Sequence, residues 1–345
     1  MKGSLIACDQ FQGRDAAALL IDGVLQDLII APRADQLLPE AICRGIVGRP
    51  VKGLGGAFVE LPGGQRGFLR QTRGIRPGEP LLVQVTGLAD DGKAIPLSTR
   101  LSIKGQYVVL TPDAPGQNIS RQIDTPEARA RLDALVAKGM AGADGQLGVI
   151  LRSAAEDAAS ETIAEELSRL RALTEATLSA LRGPPELLLD AAAPCARAVR
   201  DWPAPDIHDE TPGSFARHDL LEAIDALLDV QVPLPGGAHM AIEPTRALIA
   251  VDINTGADTS PAAALKANIA ALRDLPRQLR LRGLGGQIVI DLAPCSKKDR
   301  QVIEQAVRAA LRRDGRESVM AGWTPLGHLE LTRKRDRPSL RQVLA

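Results

Sequence analysis

At 345 residues and 45% apolar content, the chain exceeds one ordinary core and is expected to bury two or more domains. Lys plus Arg equals Asp plus Glu at 42 each, so net charge gives no sign of a nucleic-acid partner and any such contact must come from local patches. No apolar run approaches the roughly 20 residues of a membrane span, and "MKGSLIACDQFQG" lacks a secretory apolar stretch, so no membrane span and a cytoplasmic location are expected.

Residues 1 to 31 alternate short apolar runs around Asp22-Gly23, a hairpin signal, and predict a small antiparallel sheet. From about 42 to 110, glycine-punctuated runs such as "GAFVEL", "QRGFLRQ" and "EPLLVQVTG" predict a small closed barrel. Two helical segments follow, "TPEARARLDALVAKG" and "AAEDAASETIAEELSRLRALTEATLSALRG"; in the second, Ile163, Leu167, Leu170, Leu173 and Leu181 form one stripe for a sheet, and Gly183-Pro184-Pro185 stops it. A loose stretch, "DWPAPDIHDETPG", leads to a helix "SFARHDLLEAIDALLDV" and a hairpin signal at Pro235-Gly236-Gly237. The last third reads strand, helix, strand, helix, strand, an α/β unit with a largely parallel sheet whose strand ends are the usual place for ligands.

Two of those strands end in acid: "LIAVDIN" carries Asp252 and Asn254, and "GGQIVIDLAP" carries Asp291. Read as buried strands, they pose a problem, because a buried carboxylate needs a partner or a metal. Two carboxylates with an amide suit Mg²⁺, while a turn or helix-cap role for each Asp is the simpler alternative. In the barrel region, Phe58 and Phe68 are half of the four phenylalanines and sit among Arg49, Lys52, Arg66, Arg70 and Arg73. They suit either core packing or a stacking platform for single-stranded bases, and the arginines favour RNA. "RQLRLRGLGG" places three arginines before the Asp291 strand, either along a phosphate path or at a solvated helix end. The four cysteines show no C-x-x-C pair, so no structural zinc is expected.

Taken together, "DIN" followed by "RQLRLRGLGGQIVID" closely resembles the catalytic core of the ribonuclease E/G family. "LIDGVLQDLII", "GAFVELPGGQRGFL", "SIKGQYVVLTP", "NISRQI" and "GVILRSA" extend the resemblance over nearly the whole chain. The resemblance implies a composite α/β fold. Its parts would be an RNase H-like subdomain (1–38 and 166–227), an inserted OB-type RNA-binding barrel (39–105), a 5′-sensor region (106–165) and a DNase I-like catalytic subdomain (228–345). It implies a Mg²⁺-dependent endoribonuclease acting on single-stranded RNA, with water activated by a metal on Asp252 and Asp291 and with Asn254 orienting an acid or the scissile phosphate. Phe58, Phe68, Lys93 and Arg121 would contact RNA, and Gly105, Val109, Arg152 and Ser153 would sense a 5′-monophosphate. A catalytically weak RNA-binding protein of the same fold is the alternative.

Several features depart from the family pattern. The zinc-sharing motif C-P-x-C-x-G-x-G is absent, so a homo-oligomer would not form through a zinc link. The loop after Asp252 is short and carries small residues, and Pro276 interrupts a helix and is expected to kink it. Glu317, with Arg316 beside it, stands where a second 5′-sensing arginine is expected, and "LAPCSKKDR" replaces a more acidic segment.

Overall fold

The computed structural model describes residues 2–32, 36–51, 53–70, 73–89 and 93–344. Its contacts divide the chain into one unit of residues 1–33 with 204–345 and another of residues 34–203. The first unit begins with the expected antiparallel meander: β1 (Ser4–Phe11), β2 (Arg14–Ile21) and β3 (Val24–Ile30). Asp22 and Gly23 both take positive φ, 49° and 75°, the conformation a tight turn between right-twisted strands requires.

The second unit holds the barrel. Strands β4 (Ile42–Val51), β5 (Gly56–Glu60), β6 (Arg66–Leu69), β7 (Pro80–Val85) and β8 (Ile95–Ser98) pair in the order β4-β5-β6-β8-β7, and β7 returns to β4, so the five strands close. Val47, Ala57, Val59, Leu61, Leu69 and Val83 fill the interior. A separate sheet follows, made of β9 (Ile103–Lys104), β10 (Val108–Thr111), β11 (Gln117–Ile119) and β12 (Gly148–Leu151) in the order β11-β12-β10-β9. Helices α1 (Pro126–Gly139) and α2 (Ser160–Ser179) supply Leu132, Val136, Ile163, Leu167 and Leu170 to its core. The stripe is shorter than the sequence predicts: α2 stops at Ser179, leaving Leu181 outside it and 42% exposed. The expected boundary between residues 165 and 166 falls inside α2, because one apolar face of that helix serves one core. Strand β13 (Glu186–Leu189), antiparallel to β4, and α3 (Pro194–Asp201) complete the unit.

Within the first unit, β14 (Ile207–Asp209), in the stretch read as loose, adds parallel to β1. The single helix expected after it is broken into α4 (Ser214–Arg217) and α5 (Leu220–Asp225), with Asp219 between them at φ 55°, a left-handed conformation that Asp tolerates better than most residues. Phe215, Leu220 and Ile224 still reach the core beneath β1–β3, as do Leu340 and Val343 of α8 (Leu340–Leu344).

The acid-bearing sheet corrects one expectation. Strands β15 (Gln231–Pro233), β16 (His239–Pro244), β17 (Ile249–Asn254), β18 (Gly286–Asp291), β19 (Ser318–Trp323) and β20 (Leu329–Arg333) run in the order β15-β16-β17-β18-β20-β19. Only β17 and β18, joined by the helix α6 (Pro261–Leu281), are parallel neighbours; the helix after β18 leads to β19, which lies beyond β20, and the remaining pairings are antiparallel. Ser260 caps α6 by accepting the Ala263 N–H at 3.2 Å, and the helix runs on through Pro276. Ala267, Ala271 and Leu275 of α6, with Ile303 and Val307 of α7 (Arg300–Asp314), share a core with Val251, Ile253, Ile288 and Ile290.

The three arginines of "RQLRLRGLGG" are structural. Arg277 donates to Asp274 and the Leu25 carbonyl, Arg280 pairs with Asp314 and donates to the Gln26 carbonyl, and buried Arg282 bonds Gln278 and the Asp229 carbonyl. Burial pulls Arg282 down to about 10, still a cation near neutrality. These side chains satisfy internal acceptors and are not free to line a phosphate path.

Candidate functional site

Asp252 and Asp291 are direct partners in the parallel β17–β18 register. Paired positions of a parallel ladder project to the same face, and adjacent strands lie about 4.8 Å apart, so the two carboxylates stand side by side. Both are exposed. The strands are not buried on both sides: Ile249, Val251 and Ile253 face the core while Ala250, Asp252 and Asn254 take the other face. The desolvation problem posed by a doubly buried strand therefore does not arise.

Asn254 Nδ2 donates to Asp252 Oδ2 at 2.7 Å, fixing that carboxylate's orientation. Beyond Asp291, buried Asn268 of α6 accepts the Ala293 N–H at 3.0 Å and donates to the Ala293 carbonyl at 2.9 Å, so the end of β18 is tied to the crossover helix. The loop after β17 turns at Gly256, where φ is +73° and a Cβ would meet the Gly237 carbonyl oxygen at 2.4 Å; only glycine fits. His328 Nδ1 lies 3.3 Å from Asp291 Oδ1. Two exposed carboxylates, one of them oriented by an amide, form an oxygen donor set that suits a hard divalent ion keeping several of its waters.

On the barrel, Phe58 and Phe68 are cross-strand partners, with ring centroids 5.5 Å apart at 66°. Both are half-buried, facing away from the filled interior. The Arg66 guanidinium lies 4.4 Å over the Phe58 ring. These residues, with Arg70, Lys93 and Pro96, line one groove of about 1340 Å³. The groove thus brings together the two rings and the lysine that the family resemblance assigns to RNA. Of the other basic residues in that segment, Lys52 lies outside the described residues.

Gly105, Val109, Arg152 and Ser153 converge at the β9–β10 turn and the end of β12. Val109 pairs with Ile150, and the Arg152 guanidinium donates to the Gly105 carbonyl at 2.8 Å. Arg152 also donates to the Arg200 carbonyl at 3.0 Å and to Asp201 at 3.3 Å. Ser153 and Arg121 are exposed, Arg121 lying just past β11. Glu166 escapes sequence reading: its carboxylate accepts the N–H groups of Gln106, Tyr107 and Val108 at 2.7–2.9 Å, and a Cβ on Gly105 would meet it at 2.4 Å. Arg316, beside Glu317, is bound to Asp336 and to Asp27 at 3.1 Å.

Three residues of these sites carried weak sequence signals. Asn268 is a polar residue on the apolar stripe of α6, the one clue available. His328 sits at no diagnostic spacing from either acid, and Glu166 is one of several acids on its helix.

One chain thus carries a closed five-stranded barrel with an aromatic, cationic groove, and a mixed sheet bearing paired acids on its open face; that combination defines a mixed α/β protein. Residues 102–211 and 206–336 match the Ribonuclease E/G family, and the chain belongs to that family. It is 27% identical to ribonuclease G of Salmonella typhimurium (strain SL1344) across 95% of this chain and 79% of that protein. It is 29% identical to ribonuclease E of Nostoc sp. (strain PCC 7120 / SAG 25.82 / UTEX 2576) across 99% of this chain, which spans 57% of that protein's length. Ribonuclease G of Escherichia coli (strain K12) is 26% identical across 95% of this chain and 79% of its own. Among the described residues no helix is long and apolar enough to cross a membrane.

Proposed function

We propose that the protein is a Mg²⁺-dependent endoribonuclease that holds single-stranded RNA in the barrel groove and cleaves it at Asp252 and Asp291. The observation that carries this reading is the register of β17 and β18, which sets the two acids side by side on an open face, one oriented by Asn254. Membership of the Ribonuclease E/G family supports the reaction class. We assign the barrel to an OB-type RNA-binding module, the β9–β12 sheet to the 5′-sensor region, the β1–β3 sheet to an RNase H-like part, and the β15–β20 sheet to a DNase I-like catalytic part. A substrate of this kind places the protein in the cytoplasm.

Asp252 and Asp291 would hold the ion, whose chemistry when bound is to polarise a phosphodiester and make water more acidic. The protein's own contributions are positional. Asn254 keeps the Asp252 carboxylate aimed, and the Asn268–Ala293 pair holds the end of β18. Phe58 and Phe68 offer faces and edges for bases, while Arg66, Arg70 and Lys93 offset phosphate charge.

The test is cleavage of an A/U-rich single-stranded oligoribonucleotide with Mg²⁺, run beside filter binding. Wild type should generate products and Asp291→Asn should not; equal rates would remove the assignment. Tight binding with no product, even at high enzyme, would support the RNA-binding alternative.

A further inference from the structure

We propose that the loop leaving β18 holds the phosphate backbone of single-stranded RNA beside the paired acids, with Lys297, Lys298 and Arg300 as the contacts. The inference rests on the reading of Asp252 and Asp291 as the cleavage site, and it names what keeps a polyanion next to two carboxylates.

Residues 292–299 join Asp291 to α7, so they leave the sheet at the end where β17 and β18 both terminate. Strands β18 and β20 are antiparallel, and the Ile290–Leu329 pairing puts the β19–β20 turn at that same end. The loop is fixed at two points. Ala293 is bonded to Asn268, and further on the Ser296 N–H and hydroxyl donate to Asp299 Oδ2 at 2.9 and 2.7 Å while the Asp299 N–H donates to the Ser296 carbonyl at 3.0 Å. Lys297 and Lys298 lie exposed within the turn so formed. Arg300 is held by stacking: its guanidinium lies 4.5 Å over the Trp323 ring, whose Nε1–H donates to Glu304 at 2.8 Å. One nitrogen of that guanidinium reaches the β19–β20 turn, 3.6 Å from where a Cβ on Gly327 would stand.

What distinguishes these three cations is their lack of internal partners. Arg277, Arg280 and Arg282 are consumed by Asp274, Asp314, Gln278 and backbone carbonyls. Among the described residues, Lys297, Lys298 and Arg300 make no hydrogen bond or ion pair, and the loop's own acid, Asp299, is turned to Ser296. Stacking on Trp323 orients the Arg300 fork without using its N–H donors, which leaves them for a phosphate. A polyanion approaching two carboxylates is repelled, and fixed cations at the same end of the sheet offset that repulsion around the bond to be cut. Two of the three contacts are ammonium point charges, which grip phosphate and read no base, so the loop adds affinity and places the strand without adding sequence preference.

The experiment uses the full chain in EDTA, so that binding is read without cleavage, and follows by fluorescence anisotropy its affinity for a short labelled single-stranded oligoribonucleotide across a series of KCl concentrations. The variants are the Lys297→Ala/Lys298→Ala double, the Lys297→Arg/Lys298→Arg double and Arg300→Gln. The double alanine variant should flatten the slope of log affinity against log salt by about 1.4 and Arg300→Gln by about 0.7, while the double arginine variant keeps the wild-type slope. A wild-type slope in the folded double alanine variant would overturn the proposal. Should that variant fail to fold, photo-crosslinking of wild type to an oligoribonucleotide carrying 4-thiouridine decides: adducts on Lys297, Lys298 or Trp323 are expected, and adducts confined to other residues would overturn it. Cleavage by Asp291→Asn at the wild-type rate would instead remove the acids, with the salt slopes still reporting on the loop.

Discussion

Asn254 Nδ2 donates to Asp252 Oδ2 at 2.7 Å, on a strand whose parallel neighbour presents Asp291 at the paired position. The amide spends a donor on the acid beside it rather than on the backbone ladder, and so fixes one half of a two-carboxylate site. Asp252→Asn and Asp291→Asn should each lower cleavage by at least about 100-fold, and Asn254→Ala by about 10- to 100-fold, since an orienting partner matters less than a ligand. Single-turnover rates at saturating Mg²⁺, with circular dichroism to verify folding, measure this.

Removing either ring of the barrel groove should weaken RNA binding more than it weakens folding, because both rings face away from the filled interior. Phe58→Ala or Phe68→Ala should cost about 1–3 kcal/mol per stacked base. Fluorescence anisotropy of a labelled oligoribonucleotide reads the loss. Lys93→Ala should reduce the slope of log affinity against log salt by about one, the signature of a lost phosphate contact.

A 5′-monophosphate should confer little advantage. The backbone donors of Gln106 to Val108 already serve Glu166, and Arg152 serves two carbonyls and Asp201. An arriving phosphate must compete with these partners, and Arg316 is committed to Asp27 and Asp336. Cleavage rates of otherwise identical 5′-phosphate and 5′-hydroxyl oligonucleotides should differ by less than about tenfold, a coupling of under about 1.4 kcal/mol. Glu166→Gln should widen the difference.

Asp27 sits buried among Arg337 at 2.6 Å, Arg316 at 3.1 Å and Arg280 at 3.7 Å. Asp27→Asn should destabilise the protein by about 3–5 kcal/mol, because three cations lose their shared counter-charge. Burial pushes this carboxyl up, but the Arg337, Arg316 and Arg280 cations outweigh it and hold the pKa below the usual value. A depressed folded pKa means that the unfolded chain takes up the proton first. The stabilisation is therefore complete above about pH 4 and is lost as the pH falls through the folded value. Thermal melts from neutral to strongly acid pH should show this loss in wild type and a flatter profile in Asp27→Asn.

Asn268→Leu should unfasten the end of β18 by leaving the Ala293 N–H and carbonyl without partners in a buried place. The expected penalty is about 2–4 kcal/mol, from two unmet groups at about 1–3 kcal/mol each with partial relaxation. Guanidinium unfolding measures it, and hydrogen exchange at Ala293 localises it.

Much of the molecule is legible one segment at a time, wherever a short stretch meets its own requirement. Asp22-Gly23 specifies a tight turn because both residues tolerate positive φ, and the spacing of Ile163, Leu167 and Leu170 specifies one face of a helix. The alternation around Phe58 and Phe68 specifies strands. Chain-distant pairing is what sequence leaves open. Ala250 is small and apolar, so "LIAVDIN" reads as buried on both sides, although only one face meets α6; which face is open depends on where that helix lies. Parallel or antiparallel pairing likewise follows from where each crossover lands: α6 sets β18 beside β17, whereas α7 carries the chain past to β19 and β20 returns antiparallel between them. His328 beside Asp291, Glu166 under the backbone donors and the arginines closed around Asp27 all join distant segments. Residue type and local spacing determine which elements and which chemistry are present; only the assembled sheets decide which side chains share a face, because that proximity is created by folding.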